Sequence, residues 1–164
     1  MSQLPSLLQE LHAETLLDAA CGDFNWMRHT NLHSITYLGV DVVPDLIHRN
    51  SSLYGASRRT FAVLDITRDP LPRADAILCR DCFIHLSYAR ISATITNFKK
   101  SGATHLFCTT HPSIVENQDC PDGGWRSVNL EASPFNFPRP LKLIVEDAEL
   151  GKSLGIWRLE DLQP

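Results

Sequence analysis

The feature that most restricts the fold is a series of five short apolar segments, each nearly continuous rather than alternating, set between stretches of helical spacing. TLLDAAC from Thr15, ITYLGVD ending at Asp41, Phe61 to Leu64, ADAILC from Ala74 and THLFCTT from Thr104 to Thr110 make up the series. A strand that is apolar throughout is buried on both faces, and such strands belong to mostly parallel sheets covered by helices. Leu7, Leu8 and Leu11 predict a helix over 6–13, and Phe24 to Thr30 reads as a second, short one. Pro44 opens a third that stops before Gly55, because proline's missing N–H would be unpaired in a first turn anyway. Ser87 is placed to cap a fourth through Lys100, with Gly102 just beyond its end.

The pattern changes after the fifth strand. Residues 111–140 are rich in Pro, Gly, Asn and Asp and show no period. Loops longer than about 12–15 residues are uncommon in compact domains and are often functional. LKLIVE and SLGIWRL then read as two strands whose short connector allows only antiparallel pairing. The expected architecture is a three-layer α/β, Rossmann-like domain with a mostly parallel sheet and a closing antiparallel hairpin. At 164 residues the chain has the size of one domain, spanning 1–164 with the short N-terminal helix inside 1–14.

Charge and composition remove several function classes. A net charge of −4 and a pI near 5.9 give no electrostatic footprint for nucleic acid. No apolar run approaches the roughly 18–20 residues of a membrane helix. The first residues, MSQLPSLLQELH, lack the basic region and cleavage site of a signal peptide. Five cysteines, several inside apolar runs, suit reduced thiols and a cytoplasmic location better than a disulfide framework.

The first strand ends at Asp18 and runs into the turn Cys21-Gly22-Asp23. About twenty residues beyond Gly22 the second strand ends in Asp41, where a carboxylate can accept both hydroxyls of a ribose. A dinucleotide needs G-x-G-x-x-G so that backbone can approach its pyrophosphate. Here Gly22 stands alone and is followed by Asp23, which would repel phosphate. S-adenosylmethionine carries no phosphate and brings a cationic amine and sulfonium, to which Asp18 and Asp23 are suited.

With LLDAACGDFNWM, YLGVDVVPDLI, VLDITRDPLPRADAILCRDCFIHLS and SLGIWRLEDL in order, the chain resembles the class I S-adenosylmethionine-dependent methyltransferases. GGWRSVNL and SPFNFPRP further resemble a late segment of a bacterial subgroup with CGDFNWM-type first motifs. The resemblance runs from Thr15 to Leu162. It implies that Asp18, Ala20, Cys21, Gly22 and Asp23 line the methionine half of the cofactor. Asp41 would take the ribose, Val42 would pack on adenine, and Asp65 and Ile66 would hold the adenine edge. Arg80 and Asp81 would face the methyl-transfer centre. Ala20 and Phe24 stand where glycine is common in this family, and Phe24 is expected to narrow the turn.

Within that frame Asp81 and His111 are the candidate catalytic groups, and His85 is read as structural. Cys79-Arg80-Asp81-Cys82 is a C-x-x-C, but Cys79 lies in a strand and no second ligand pair has metal spacing, so no metal is expected. Trp125 and Arg126 are the candidate acceptor-binding pair, since a guanidinium beside an aromatic can hold a carboxylate or phosphate. Residues 111–140 are expected to form an acceptor-side loop that moves as a lid on a hinge at Gly123 and Gly124. The implied activity is methyl transfer from S-adenosylmethionine to an oxygen or nitrogen of a small-molecule acceptor. The alternative is a weak or inactive S-adenosylmethionine-binding module that supports a partner subunit. The short segment before the first strand leaves room for a site completed by a second copy of the chain.

Overall fold

The computed structural model describes residues 3–32 and 34–163; the ends of the expected 1–164 span, Met1, Ser2 and Pro164, lie outside the described residues. Strands β1 (Thr15–Ala19), β2 (Thr36–Asp41), β3 (Arg59–Val63), β4 (Ala76–Cys79), β5 (His105–Thr110), β6 (Lys142–Asp147) and β7 (Lys152–Arg158) form one sheet in the order β3-β2-β1-β4-β5-β7-β6. The first five are parallel, and β7 runs antiparallel between β5 and β6. The chain moves outward from β1 through β2 to β3, then returns to β4 on the other side of β1. That reversal opens a crevice at the carboxyl ends of β1 and β4, where ligands bind in sheets of this kind. No helix among the described residues is long and apolar enough to cross a membrane.

Alternation along the strands sorts the core into two halves. Leu17 and Ala19 of β1, Ile77 and Cys79 of β4, and Leu106 and Cys108 of β5 face one side. There they meet Ile91, Ile95 and Phe98 of α3 (Tyr88–Lys100), spaced so that all three lie on one helix face. Leu16, Tyr37, Leu78 and Phe107 face the other side and meet Leu4, Leu7 and Leu8 of α1 (Leu4–Glu10). Helix α2 (Pro44–Tyr54) packs on β2 and β3 and brings Tyr54 to that second half. Ser87 caps α3 by accepting the Arg90 N–H, as its position predicts.

Two helical expectations contract. The 6–13 helix ends at Glu10, and His12 turns the chain at a φ of 52° before β1. The Phe24–Thr30 helix is reduced to one 3₁₀ turn, Met27–His29, because Phe24 itself has a φ of 59°. A left-handed residue cannot join an α-helix, and for an aromatic it costs roughly 1–2 kcal/mol. Burial of the ring offsets that cost. Phe24 sits among Tyr37, Tyr54 and Phe61 with ring centroids 5.1–5.3 Å away, and the Arg59 guanidinium lies over it at 5.4 Å. The backbone conformation therefore points the ring into the core, and Phe24 does not narrow the turn.

Residues 111–140 contain no helix or strand, yet they are fastened throughout. Val128, Leu130 and Phe137 are buried in the α3 half of the core, and Phe137 meets Trp157 edge-on at 5.5 Å. Asn117 donates to the Asn129 and Ser133 carbonyls at 2.8 Å and accepts the Asn129 N–H. Leu130 N–H reaches Thr110 Oγ1 at 3.1 Å. Replacing Phe24 with alanine removes the hub of the aromatic cluster and is expected to cost about 3–5 kcal/mol. The measurement is a lower urea midpoint with an unchanged denaturant slope.

Candidate functional site

The crevice is built around the turn that leaves β1. Gly22 holds a φ of 55°, a conformation glycine adopts without penalty, and a side chain there would project into open space. Asp41, at the end of β2, accepts the Gly22 N–H through Oδ2 at 3.1 Å and the Val43 N–H through Oδ1 at 3.1 Å. From α2, Asn50 donates Nδ2 to the Gly22 carbonyl at 2.8 Å. The turn is thus held at both its N–H and its C=O. Each Asp41 oxygen keeps a further lone pair, so the carboxylate can still accept two hydroxyls.

Beside this latch lies a cavity of about 230 Å³. Ala20, Val42, Leu64, Ile66, Cys82 and Leu86 supply much of its wall, with Asp41 and Asp65 at polar positions. Partial burial would raise the Asp65 carboxyl, but two hydrogen bonds from Thr67 and the nearby Arg68 and Arg90 hold it below the usual carboxylate range. Arg90 and Asp122 close the rim, joined at 3.2 Å, and Asp122 also accepts the Ser87 N–H at 2.9 Å. A flat, largely apolar group with polar edges matches this space.

On the other side of the turn Asp18 is buried beneath Tyr37, whose hydroxyl donates to it at 2.6 Å. Burial pushes the Asp18 carboxyl up to about 7, against the opposing pull of that hydrogen bond and of Arg80. Arg80 leads to a four-membered ion cluster at the ends of β4, β6 and β7. Asp81 meets Arg80 at 2.9 Å and Lys152 at 2.6 Å, and Glu146 meets Arg80 at 2.9 Å and Lys152 at 3.5 Å. Arg80 also lies over the Trp26 ring at 5.0 Å. Asp81 has a φ of 54°, and its N–H donates to Thr109 Oγ1 at 2.8 Å, which fixes its carboxylate at the mouth.

The structure therefore gathers Ala20, Asp41, Val42, Asp65 and Ile66 around one cavity, with Gly22 and Cys21 in the adjoining turn. Asp18, Arg80 and Asp81 stand on the other side of that turn. Cys21 is buried, with its thiol raised by burial and by the Asp18 and Asp41 charges. Asp23 is exposed and caps the Asn25 N–H. His111 is buried just beyond β5 with Nδ1 against the Val128 backbone, and burial lowers its pKa.

Arg126 departs from expectation. Its guanidinium donates to the Phe83 carbonyl at 2.5 Å and the Gln118 carbonyl at 3.3 Å and lies over Tyr88, so it pins the loop instead of offering an open fork. Trp125 beside it is exposed. The glycine hinge is clasped as well, since Gly123 N–H donates to the His85 carbonyl and His85 Nδ1 meets the Gly124 carbonyl. Burial holds the Cys79 thiol in its protonated form, as do burial and Cys79 itself for Cys82.

The sequence reading missed Asn50, Glu146 and Lys152. Asn50 had a signal, a polar residue on the inner face of α2. Glu146 and Lys152 had none, because only the pairing of β7 between β5 and β6 brings them to Asp81.

No protein-family profile matches the chain, and no curated protein does. Solved structures do. A Burkholderia thailandensis 1,6-didemethyltoxoflavin-N1-methyltransferase, bound to 1,6-didemethyltoxoflavin and S-adenosylhomocysteine, superposes with a TM-score of 0.68 at 16% identity, covering 97% of this chain and 76% of that one. The fold is the Rossmann-like methyltransferase fold. The methyltransferase domain of bacterial CtHen1-C gives 0.67 at 16% identity, over 99% and 96% of the two chains. Human N-acetylserotonin methyltransferase in complex with SAM gives 0.67 at 9% identity over 95% of this chain, which spans half the length of the human enzyme.

Asp18 generates a pH prediction. Its folded-state pKa of about 7 lies above the ordinary 3.8, so the native state binds the proton more tightly than the unfolded chain. Stability contributed by the protonated form is complete below about pH 4 and lost as pH rises through about 7. Asp18→Asn keeps an acceptor for Tyr37 and removes the charge. Urea denaturation should find the variant more stable by on the order of a few kcal/mol above about pH 7, and equal to wild type near pH 4.

Proposed function

We propose that the chain binds S-adenosylmethionine in the carboxyl-end crevice and transfers its methyl group to an oxygen or nitrogen of a small-molecule acceptor. The observation that carries this reading is one turn held by Asp41 and Asn50 with a largely apolar cavity on one side and buried Asp18 on the other. Asp41 holds the ribose hydroxyls, as its free lone pairs allow. Ala20, Val42 and Ile66 enclose adenine, with Asp65 at its edge. Asp18, Cys21, Gly22, Asp23 and Arg80 border the methionine half, where the exposed Asp23 carboxylate favours the cationic amine. When bound, the cofactor supplies an electrophilic methyl carbon on a sulfonium.

The residues of the chain then have to position a nucleophile about 3–3.5 Å from that carbon and keep competing water out. Asp81, fixed by Thr109 and placed at the mouth, accepts a hydrogen bond from the acceptor's O–H or N–H and orients its lone pair. His111, buried, stands behind it just beyond β5. Trp125, exposed on the 111–140 loop, is the side chain proposed to meet the acceptor, and Arg126 serves by fixing the backbone beside it. The five unpaired cysteines fit a reducing, cytoplasmic setting.

One observation favours the second reading, an S-adenosylmethionine-binding module without turnover that supports a partner subunit. The Asp81 carboxylate is already engaged by both Arg80 and Lys152. Binding is common to both readings and is tested first. Titration calorimetry should register S-adenosylhomocysteine and not NAD, and Asp41→Ala should weaken that binding by about 1.5–3 kcal/mol in a folded protein. Binding of NAD alone, or unchanged affinity in the variant, would overturn the assignment. Labelled methyl transfer to a panel of small hydroxyl and amine acceptors separates the enzyme from the silent module.

A further inference from the structure

Among the described residues, Arg68, Arg80 and Arg90 each meet a carboxylate within 4 Å, and most of the other arginines meet none. Three of these others, Arg28, Arg58 and Arg59, stand out by their position. These three line a single cavity of about 510 Å³ together with His29, and no Asp or Glu lines it.

The cavity adjoins the crevice turn through Phe24 and Tyr37, whose hydroxyl reaches Asp18. It is framed by the segment joining β1 to β2 and by the beginnings of β2 and β3, where Tyr37 and Arg59 are register partners. Its floor is the buried Phe24, Met27 and Tyr37 layer. Each guanidinium has a partner other than a carboxylate. Arg28 donates Nε to His29 Nε2 at 3.0 Å and reaches the Tyr54 hydroxyl at 3.4 Å. Arg58 donates to the Ser34 carbonyl at 3.4 Å, and Arg59 lies over the Phe24 ring at 5.4 Å. The side chains are thus oriented without being neutralised. Three cations held around one concavity repel each other until an anion enters, and the planar guanidinium donates in pairs to phosphate oxygens.

We infer that this cavity is a second ligand site, one that binds a phosphate ester through Arg28, Arg58 and Arg59. The phosphate can come from free inorganic phosphate or from a phosphorylated metabolite of nucleotide size, which the cavity has room to hold. The site differs from the crevice in charge, because the crevice turn carries Asp23 and Asp41.

The test is titration calorimetry on the full chain with inorganic phosphate, uridine 5′-monophosphate and uridine, a pyrimidine being chosen to keep clear of the adenine-sized cavity. Wild type should bind the nucleotide and not uridine, and rising salt should weaken binding. Binding of inorganic phosphate as tight as that of the nucleotide identifies free phosphate as the source. Arg28 and Arg58 are exposed, so Arg28→Gln and Arg58→Gln should fold. Each should lose at least about tenfold in affinity, the loss of one charge-assisted pair. S-adenosylhomocysteine binding should not change in either variant, and without phosphate their melting temperatures should not fall. Equal affinity in wild type and variants, equal binding of uridine, or no heat from either phosphate ligand at millimolar concentration would overturn the inference.

Discussion

Everything at the carboxyl end of the sheet depends on one carboxylate, Asp41. Its two oxygens accept N–H groups from Gly22 and Val43, so it joins the turn after β1 to the start of the segment after β2. Asn50 then takes the Gly22 carbonyl from below. A turn with a single glycine would ordinarily be mobile. Here its donor and acceptor are both committed to neighbouring elements, and the crevice walls on either side are fixed with it. Buried charge-assisted hydrogen bonds of this kind are among the stronger ones, and an unpaired partner left behind is costly.

That arrangement also accommodates Phe24 in the turn. The turn needs positive φ at two positions, Gly22 and Phe24. Glycine supplies the first at no steric cost. At the second, the same conformation directs the aromatic ring away from the crevice and into the cluster of Tyr37, Tyr54 and Phe61. Strain at the turn and burial in the core are two ends of one residue, so the crevice geometry is anchored by apolar packing on the opposite side of the backbone.

Much of this was legible in the sequence because the signals were local. The apolar runs gave the strands, Pro44 and Ser87 gave two helix starts within a residue, and the single-glycine turn with Asp41 gave the crevice. The illegible part was non-local. No spacing rule joins Asp81 to Lys152 or Arg80 to Glu146 across 71 and 66 positions; only the insertion of β7 between β5 and β6 brings them within 4 Å. The internal bonds of the 111–140 segment were illegible for a related reason, because Asn117 and Asn129 reach backbone groups more than ten positions away in place of a strand ladder.

The same replacement shows what the long segment does for the crevice. Asp119 and Asp122 accept the Tyr88 and Ser87 N–H groups, the unpaired donors at the start of α3, and Asp122 then reaches Arg90 at the cavity rim. Arg126 and His85 tie the neighbouring backbone to the Phe83–His85 turn that follows Asp81. The loop thus fastens the cavity wall at Arg90 and the backbone behind Asp81 in a single stretch of chain. Among the described residues, this irregular segment holds those two places together by committing polar side chains to backbone groups of neighbouring elements.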